Sequence, residues 1–298
     1  MYNKSEAQCQ ELGVHDFTTL LSSENSTLAI NDKKLFSSST DIDKLILEIE
    51  TISKLTPFQI TEIIQLFNQY GFLILQCQKF NNCEAEFLLL SKIFGKTTKH
   101  NRANRDGVVT IKSLEGYPLY LGASNEAHPL HTDGPFEKTP PKVMALLCEK
   151  SDPVGGLSQI VSCRAIYEYL RTHDPQGLQL LFNSSAWTIE RDRQSQTRAM
   201  FEYRDGKISM AFRTNDGNAN VSVMPEALKV FDLIISFINN PQNCLSFKLE
   251  PGQVLIGDNL SILHGRTAFS KDSPRSLKRL NFDGESEYTP MLVFGFEP

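Results

Sequence analysis

Two segments in the first third of the chain place apolar residues at helical spacing. The first begins at Thr56-Pro57, an N-cap followed by proline at the first helical position, and ends at Gly71. Its apolar residues recur every three or four positions, at Ile60, Ile63, Ile64 and Phe67. A second amphipathic helix is predicted to end at Gly95, with apolar residues Phe87, Leu88, Leu90 and Phe94. The continuous apolar run 72–75 between them predicts a buried strand.

Beyond residue 107 the pattern is mainly that of short strands separated by turns. The strand-like segments are 108–111, 143–148, 254–256 and 261–264, and the helix-like segments are 166–170, 178–182 and 225–238. Strands, a helical insertion and strands again follow one another in that order. This order predicts a mainly β fold with helical decoration, built on a double-stranded β-helix (jelly-roll) core.

The first part of the chain does not share this periodicity. Residues 1–55 carry stretches rich in serine, threonine, asparagine and aspartate, and we expect an irregular N-terminal extension that packs on the core. Residues 56–298 show neither an internal repeat nor a clear linker. They are therefore predicted to form a single domain.

Composition and charge narrow the class of protein. The chain has 298 residues, 40% apolar and 22% charged, which is an ordinary globular composition. A net charge of −5 argues against nucleic-acid binding, which normally requires a basic face. No apolar run approaches the roughly 20 residues that a membrane span needs, and residues 1–13 lack a secretory pattern. We expect a cytoplasmic protein without a nucleic-acid or membrane partner, whose six scattered cysteines are thiols.

The triplet His131-Thr132-Asp133, together with the distant His264, carries the candidate chemistry. On a strand, alternate side chains share a face, so His131 and Asp133 project together and a distant strand must supply the third group. Two histidines and one carboxylate form the set that holds iron(II) and leaves positions open for a co-substrate and O₂. The triplet alone is a common pattern, and the Gly134-Pro135 that follows also fits a surface turn.

Five segments support the metal-binding interpretation through a resemblance to a known family. They are 71–75 with 87–95, HTDG at 131–134, Pro140-Pro141 before the strand at 146–148, GGLS at 155–158, and 251–269 with RSLKR at 275–279. In this order they resemble the TauD/TfdA group of iron(II)- and 2-oxoglutarate-dependent dioxygenases, including its clavaminate-synthase-like branch. The resemblance covers about residues 56–283, and five matches in order are hard to obtain by chance.

The resemblance implies that His131, Asp133 and His264 bind iron(II) and that 2-oxoglutarate is the second cofactor. It also implies that Arg275 holds the far carboxylate of 2-oxoglutarate, because a guanidinium meets a carboxylate with two parallel hydrogen bonds. Ser158 stands where the family usually has a threonine whose hydroxyl donates to the same carboxylate. The alternative for Arg275 is a solvated loop arginine.

A second arginine lies four residues further on, at Arg279. On a strand, Arg275, Arg279 and Asn281 share a face, so all three are predicted to point into one cavity. One cation suffices for 2-oxoglutarate, and the family's matching arginine commonly holds an acidic group of the primary substrate. Arg279, with Asn281, is therefore expected to bind the substrate. The alternative is that Arg279 pairs with an internal acid such as Asp283 or Glu285.

Two further residues are weaker candidates for the cavity, and a third is expected to have a structural role. Arg213 is a candidate for substrate binding, although a surface salt bridge fits it as well. His128, three residues before the metal triplet, is a second candidate for facing the substrate. Arg266 is expected to brace the end of its strand rather than to contact a ligand.

These residues favour an oxygenase over two alternatives. The expected reaction uses O₂ and 2-oxoglutarate to hydroxylate, desaturate or cyclise an unactivated C–H bond, with release of succinate and CO₂. The expected substrate is small and anionic, such as an amino acid or derivative. A non-catalytic metal-binding jelly-roll protein and an iron oxidase independent of 2-oxoglutarate remain open, but neither needs Arg275. The carboxylate of Asp133 argues against halogenation, because related halogenases have a small residue there.

Overall fold

Two β-sheets pack face to face in the computed structural model, which describes residues 34–79, 83–114 and 120–298. In chain order the strands are β1 (Ile46–Ile49), β2 (Phe72–Cys77), β3 (Val109–Ile111), β4 (His128–His131), β5 (Val143–Lys150), β6 (Ser158–Ser162), β7 (Trp187–Arg191), β8 (Gln194–Arg198), β9 (Phe201–Arg204), β10 (Lys207–Met210), β11 (Ala219–Val223), β12 (Leu245–Phe247), β13 (Gln253–Asp258), β14 (Ile262–Arg266) and β15 (Ser276–Phe282). The larger sheet has the order β1-β2-β13-β5-β15-β3, and the smaller has the order β12-β6-β14-β4. The fold is the mainly β, jelly-roll type predicted from the sequence.

Helices cover the outside of these sheets. The α-helices are α1 (Pro57–Tyr70), α2 (Cys83–Leu88), α3 (Ser91–Phe94), α4 (Cys163–His173), α5 (Pro175–Leu180) and α6 (Leu228–Ile238). Short 3-10 helices lie at Ile42–Leu45, Ile52–Lys54, Leu121–Ala123, Pro225–Ala227, Pro241–Asn243 and Thr289–Met291. No described helix has the length and apolarity that a membrane span requires.

The alternation of side chains along β2 explains how the larger sheet is covered on both faces. Phe72 and Ile74 point between the two sheets, where they pack with Ile160 and Ile262 of the smaller sheet. Leu73 and Leu75 point the other way, into a second apolar cluster formed with α1, α2 and α3. A strand that is buried on both faces has apolar residues at consecutive positions, and β2 has such a run at residues 72–75.

The predicted helix boundaries are confirmed for α1 and partly for the next helix. Thr56 accepts a hydrogen bond from the backbone of Gln59, and the Gln59 side chain accepts one from the Thr56 backbone. The helix ends at Gly71, whose φ of 77° is left-handed. The second predicted helix is divided into α2 and α3 by a turn at residues 89–90, and it ends at Gly95 as expected.

The insertion between β6 and β12 differs from the prediction. Its helices are present, but residues 187–223 form five strands that the sequence pattern did not predict. β7 lies between β11 and β8 in a three-stranded sheet, and β9 pairs with β10. Trp187 and Phe201 from these strands pack with the helices against Leu263 of the smaller sheet. The insertion therefore covers the outer face of the sheet that carries His264.

The N-terminal segment is less irregular than predicted where it is described, and residues 1–33 lie outside the described residues. β1 runs parallel to β2, so the larger sheet begins before the predicted domain boundary at residue 56. Lys34 is buried, and its Nζ lies 2.6 Å from Oδ2 of Asp258 and 2.6 Å from the Val293 carbonyl. This segment is thus tied to the core by a buried ion pair.

The cysteines that the structure describes agree with the expected thiols. Cys77, Cys148, Cys163 and Cys244 are free and buried. Burial raises the pKa of the Cys148 thiol to about 11, so the thiol is protonated at neutral pH. Cys9 and the side chain of Cys83 lie outside the described residues.

Candidate active site

The side chains of His131, Asp133 and His264 converge between neighbouring strands. β4 pairs with β14 so that His131 lies opposite His264, and Asp133 follows two residues after His131. Oδ1 of Asp133 lies 3.6 Å from Nε2 of His131 and 3.9 Å from Nε2 of His264. One ligand atom from each residue lies within 4.8 Å of the others, and all three residues are buried. This spacing matches a mononuclear metal site with one open face.

The orientation of His131 suits a metal ligand. Its Nδ1–H donates to the Pro129 carbonyl at 2.8 Å, which leaves the lone pair of Nε2 directed toward Asp133. Nε2 is buried without a hydrogen-bond partner among the described residues. A buried orphaned nitrogen is costly unless it has a ligand, so this donor set fits a metal ion such as iron(II).

The electrostatic environment favours the protonation states that metal binding requires. Burial, reinforced by the neighbouring His131, lowers the pKa of His264 to about 3, and burial also lowers the pKa of His131. Burial alone would raise the pKa of Asp133, but Arg279 and the two histidines hold it well below its usual range. The site therefore presents two neutral imidazoles and one carboxylate at neutral pH.

Asn259 fixes the backbone around Asp133. Its Oδ1 accepts from the Asp133 amide at 2.7 Å, and its Nδ2 donates to the carbonyls of Asp133 and Pro141 at 2.9 and 2.8 Å. Thr132, between the two ligands, exchanges hydrogen bonds with the backbone of Phe212 in the insertion. Hydrogen bonds therefore hold Thr132 and the backbone of Asp133 in place, and because both residues are buried a surface turn is excluded.

Arg279 and Asn281 lie in the same site but contact Asp133. Nη1 of Arg279 donates to Oδ1 of Asp133 at 2.9 Å, and Nδ2 of Asn281 donates to Oδ2 at 3.1 Å. Arg279 and Asn281 share a face of β15 as predicted, but Arg275 precedes this strand and Asn281 is not among the residues that line the cavity of the two arginines. The internal acid that pairs with Arg279 is Asp133, rather than the Asp283 or Glu285 considered from the sequence.

A cavity extends from the three candidate ligands to Arg275 and Ser158. Arg275 is buried, and its Nη1 has no hydrogen-bond partner among the described residues. Its guanidinium lies 5.1 Å from the ring centre of Phe269, and burial lowers its pKa. A solvated loop arginine is excluded. A buried guanidinium with no acid partner in the described part of the chain fits one end of a dicarboxylate such as 2-oxoglutarate.

Gly156 makes the space that Arg275 occupies. Its φ is +66°, and a Cβ at this position would lie 2.6 Å from Nε and 2.7 Å from Cδ of Arg275. Any side chain would therefore be strained and would also displace the guanidinium. This explains why a glycine stands two residues before Ser158.

Arg213, His128 and Arg266 also line the cavity, and each contacts another group of the protein. Arg213 is buried and makes two contacts with Oδ2 of Asp216, at 2.7 and 2.5 Å. The ring of His128 stacks on that of His131 with centres 4.0 Å apart. Arg266 donates to the carbonyls of Leu121 and Ser124, both at 2.7 Å, which confirms its bracing role.

Sequence reasoning missed several residues that line the cavity, including two with aromatic rings and one largely buried arginine. His100, Tyr120 and Arg191 face the cavity from segments that carry no recognised motif. Nδ1 of His100 accepts from the Arg102 amide at 3.1 Å, and burial lowers the pKa of His100 to about 3, so Nε2 carries its proton. The Arg191 guanidinium lies 5.6 Å from the ring centre of Tyr120 and 5.1 Å from that of Phe136. Together these residues add cationic and hydrogen-bonding groups to the lining of the cavity.

The chain is similar in sequence to known proteins. The model of the family described as "Taurine catabolism dioxygenase TauD, TfdA family" matches residues 37–281. A gamma-butyrobetaine dioxygenase from Pseudomonas sp. (strain AK-1) is 30% identical over 154 residues, which cover 49% of this chain and 40% of that protein. The chain thus spans less than half the length of this relative.

Solved structures share the fold at lower sequence identity. An asparagine oxygenase in complex with Fe(II), 2S,3S-3-hydroxyasparagine and succinate matches with a TM-score of 0.60 and 12% identity, over 80% of this chain and 93% of that chain. The non-heme iron oxygenase OrfP in complex with Fe and alpha-ketoglutaric acid matches with a TM-score of 0.63 and 15% identity, over 78% and 82%.

Proposed function

Because the chain belongs to the TauD/TfdA dioxygenase family, we propose that it is an iron(II)- and 2-oxoglutarate-dependent oxygenase acting on a small anionic substrate. One observation carries this proposal. The three candidate ligands line one cavity with a buried arginine that has no acid partner among the residues that the structure describes. A non-catalytic metal protein has no need for such an arginine.

The roles of the residues follow from their positions. His131, Asp133 and His264 would hold iron(II), while Arg275 and Ser158 would hold the far carboxylate of 2-oxoglutarate. When bound, the metal and 2-oxoglutarate supply the oxidation of an unactivated C–H bond by O₂, with release of succinate and CO₂. Asn259 keeps Asp133 in place, and the hydrogen bond from His131 to Pro129 keeps the imidazole oriented. Hydroxylation is the simplest outcome, and desaturation or cyclisation would use the same residues.

We place the substrate's anionic group at Arg279. A guanidinium has five N–H donors, and one of them is sufficient for the observed bond to Asp133. The same side chain can therefore orient Asp133 and still donate to a substrate carboxylate. Arg213 and His128 line the same cavity, and Asn281 lies beside Asp133 as a further candidate for substrate binding. The hydroxyasparagine bound to the structurally similar asparagine oxygenase supports an amino acid or derivative as the substrate.

The proposed function is tested by loading the protein anaerobically with iron(II) and 2-oxoglutarate. We expect a visible metal-to-ligand charge-transfer band and, once O₂ is admitted, formation of succinate. A panel of free and carrier-bound amino acids should contain at least one compound that accelerates succinate formation and gains mass. Absence of both the band and succinate would refute the proposed function.

Replacing Arg279 by alanine is expected to raise the substrate KM by roughly tenfold to a hundredfold, because a charged hydrogen-bond donor is lost. Binding of 2-oxoglutarate and the slow substrate-free release of succinate should persist, since Asn259 and Asn281 still hold Asp133. The measurement is steady-state succinate release with and without substrate.

Lys278→Ala provides a matched control, because its side chain lies on the opposite face of the same strand. If succinate release without substrate falls together with the iron content in Arg279→Ala, the residue acts through Asp133, and its assignment to the substrate is wrong.

We further propose that the enzyme works in the cytoplasm. The free thiols of Cys77, Cys148, Cys163 and Cys244 support a reducing compartment.

A further inference from the structure

The cavity of the candidate active site carries more positive charge than the proposed binding of iron and 2-oxoglutarate uses. Six of its described lining residues are arginines, whereas Asp133 is the single acid among them. Iron(II) and the 2-oxoglutarate dianion carry opposite charges of equal size, so their binding leaves this excess unchanged. A substrate with one anionic group, held by Arg279, would offset only part of the excess.

Arg191 differs from the other arginines of the cavity in having neither a hydrogen bond nor an assigned ligand. Its guanidinium makes no hydrogen bond within the part of the chain that the structure describes. Nε lies 3.5 Å from Oδ2 of Asp192, but this contact lacks the geometry of a hydrogen bond. Asp192 instead accepts from the Tyr120 hydroxyl at 2.9 Å and from the Asn101 side-chain amide at 3.3 Å. The guanidinium donors of Arg191 therefore remain available for a ligand.

Two aromatic rings, those of Tyr120 and Phe136, hold this guanidinium at the cavity. A guanidinium that lies over an aromatic face keeps its N–H donors, which lie in its own plane, free to meet a carboxylate. The Arg191 side chain is only 11% exposed, so a carboxylate bound to it would be held largely away from water. Such a charge-assisted pair is stronger than one at the surface.

Arg191 and Arg279 act on the same space. Both line one cavity, together with His100, so a single molecule bound there can contact both guanidinium groups. Burial is the main cause of the lowered pKa of Arg191, and the charges of Arg213 and Arg279 lower it further, against the opposing charge of Asp192. Cations that repel one another across a shared cavity are stabilised when anionic groups bind between them.

We propose that Arg191 binds a second anionic group of the substrate, and that the substrate is an amino acid with an acidic side chain whose other carboxylate is held by Arg279. This inference rests on the proposed function and narrows its substrate class from an anion to a dianion. The two carboxylates of such a molecule are on different carbons, so the length of the side chain sets their separation. Two guanidinium groups at fixed positions therefore select both charge and length, and they determine which C–H bond faces the metal.

A purely structural role for Arg191 gives different expectations. If the guanidinium only packs against Tyr120 and Phe136, its loss lowers the stability of the protein or changes turnover with every substrate alike. If it binds the substrate, the effect is confined to compounds that carry the second carboxylate.

The experiment compares aspartate, glutamate and 2-aminoadipate with the side-chain amides of the same three compounds, which keep the shape and lose the second charge. Succinate release above the substrate-free rate is measured for each compound at saturating 2-oxoglutarate. The wild-type enzyme is expected to prefer at least one acid over its amide in kcat/KM by at least tenfold. Arg191→Gln should remove this preference by raising the KM for the acid roughly tenfold to a hundredfold, with a smaller change in kcat.

Two further variants serve as controls. Arg193→Gln changes an exposed arginine in the same β7–β8 turn that is not among the residues lining the cavity, so it should keep the wild-type preference and melting temperature. Arg191→Lys keeps the charge but loses the paired donors, and it should recover part of the preference.

Stimulation by none of the three acids, equal use of acids and amides, or an unchanged preference in Arg191→Gln would overturn the inference. A melting temperature that falls in Arg191→Gln together with the turnover of acids and amides alike would assign Arg191 a structural role instead. Absence of the charge-transfer band and of substrate-free succinate in the wild-type enzyme would refute the proposed function itself.

Discussion

His264→Ala is expected to abolish both iron retention and turnover. The imidazole Nε2 lies 3.9 Å from the Asp133 carboxylate, and no other histidine of the described chain joins this cluster of potential ligands. Loss of residues that merely support a metal ligand typically costs about 10- to 100-fold in affinity or activity. Loss of the ligand itself should therefore exceed a hundredfold. Iron content after desalting and succinate release measure the two effects.

Two further variants separate ligand loss from misfolding. His264→Gln retains most of the side-chain volume in a buried strand, so its apo form should melt close to the wild-type temperature while still failing to retain iron. His173→Ala removes an exposed histidine from α4 and should leave both measurements unchanged. Full iron content and activity in His264→Ala would show that the metal is held elsewhere.

Arg275→Ala is expected to weaken 2-oxoglutarate binding by more than a hundredfold while iron binding persists. Leaving one member of a buried charged pair without its partner costs about 3–5 kcal/mol, and each 1.4 kcal/mol corresponds to a factor of ten. Arg275 makes no observed contact with the three candidate ligands, so iron affinity should remain close to wild type. A titration of the charge-transfer band with 2-oxoglutarate measures the change.

The unpaired state of Arg275 adds a second expectation. Nη1 of the buried Arg275 guanidinium has no hydrogen-bond partner among the described residues. In the absence of 2-oxoglutarate, Arg275→Ala therefore breaks no ion pair with a described residue and should not lower the stability of the protein for that reason. Arg275→Lys keeps the charge but loses the paired donors, and it should fall between alanine and wild type. Arg171→Ala, on the exposed side of α4, is the control. An unchanged 2-oxoglutarate affinity in Arg275→Ala would assign this carboxylate to another cation.

The parts of the fold that could be predicted from sequence are those with local causes. The start of α1 depends on Thr56, Pro57 and Gln59, which are neighbours in the chain. The buried strand β2 appears as an uninterrupted apolar run because both its faces are covered. The metal triplet was recognisable because both candidate ligands lie within three residues, although only His131 belongs to β4 and Asp133 follows the end of the strand rather than sharing its face as predicted.

The insertion was missed because its strands lack such a pattern. β8 consists of polar residues with little burial, so no alternation of apolar positions marks it as a strand. A usable signal did exist at Asp205-Gly206, where both residues have positive φ in the turn between β9 and β10. Asp-Gly between two short runs is a strong indicator of a hairpin.

Long-range partners were also beyond sequence reasoning. Arg279 and Asp133 are 146 positions apart, and their hydrogen bond depends on how two sheets are packed together. The same is true of His100 and Arg191, which reach the cavity from unrelated segments. A sequence pattern can place residues on one face of a strand, but it does not show which acid the opposite sheet will present.

The buried ion pair of Lys34 has a practical consequence for protein engineering. Asp258 accepts from Lys34 Nζ and from the Gly295 amide, and it immediately precedes Asn259, which holds the backbone of Asp133. A truncation that removes Lys34 would leave the Asp258 carboxylate without its cation. Asp258 is next in sequence to Asn259, which holds the backbone of Asp133. Affinity tags, fusion partners and shortened variants should therefore leave residues 34 and 293–295 intact, because these residues hold the Asp258 side chain next to Asn259 in the active site.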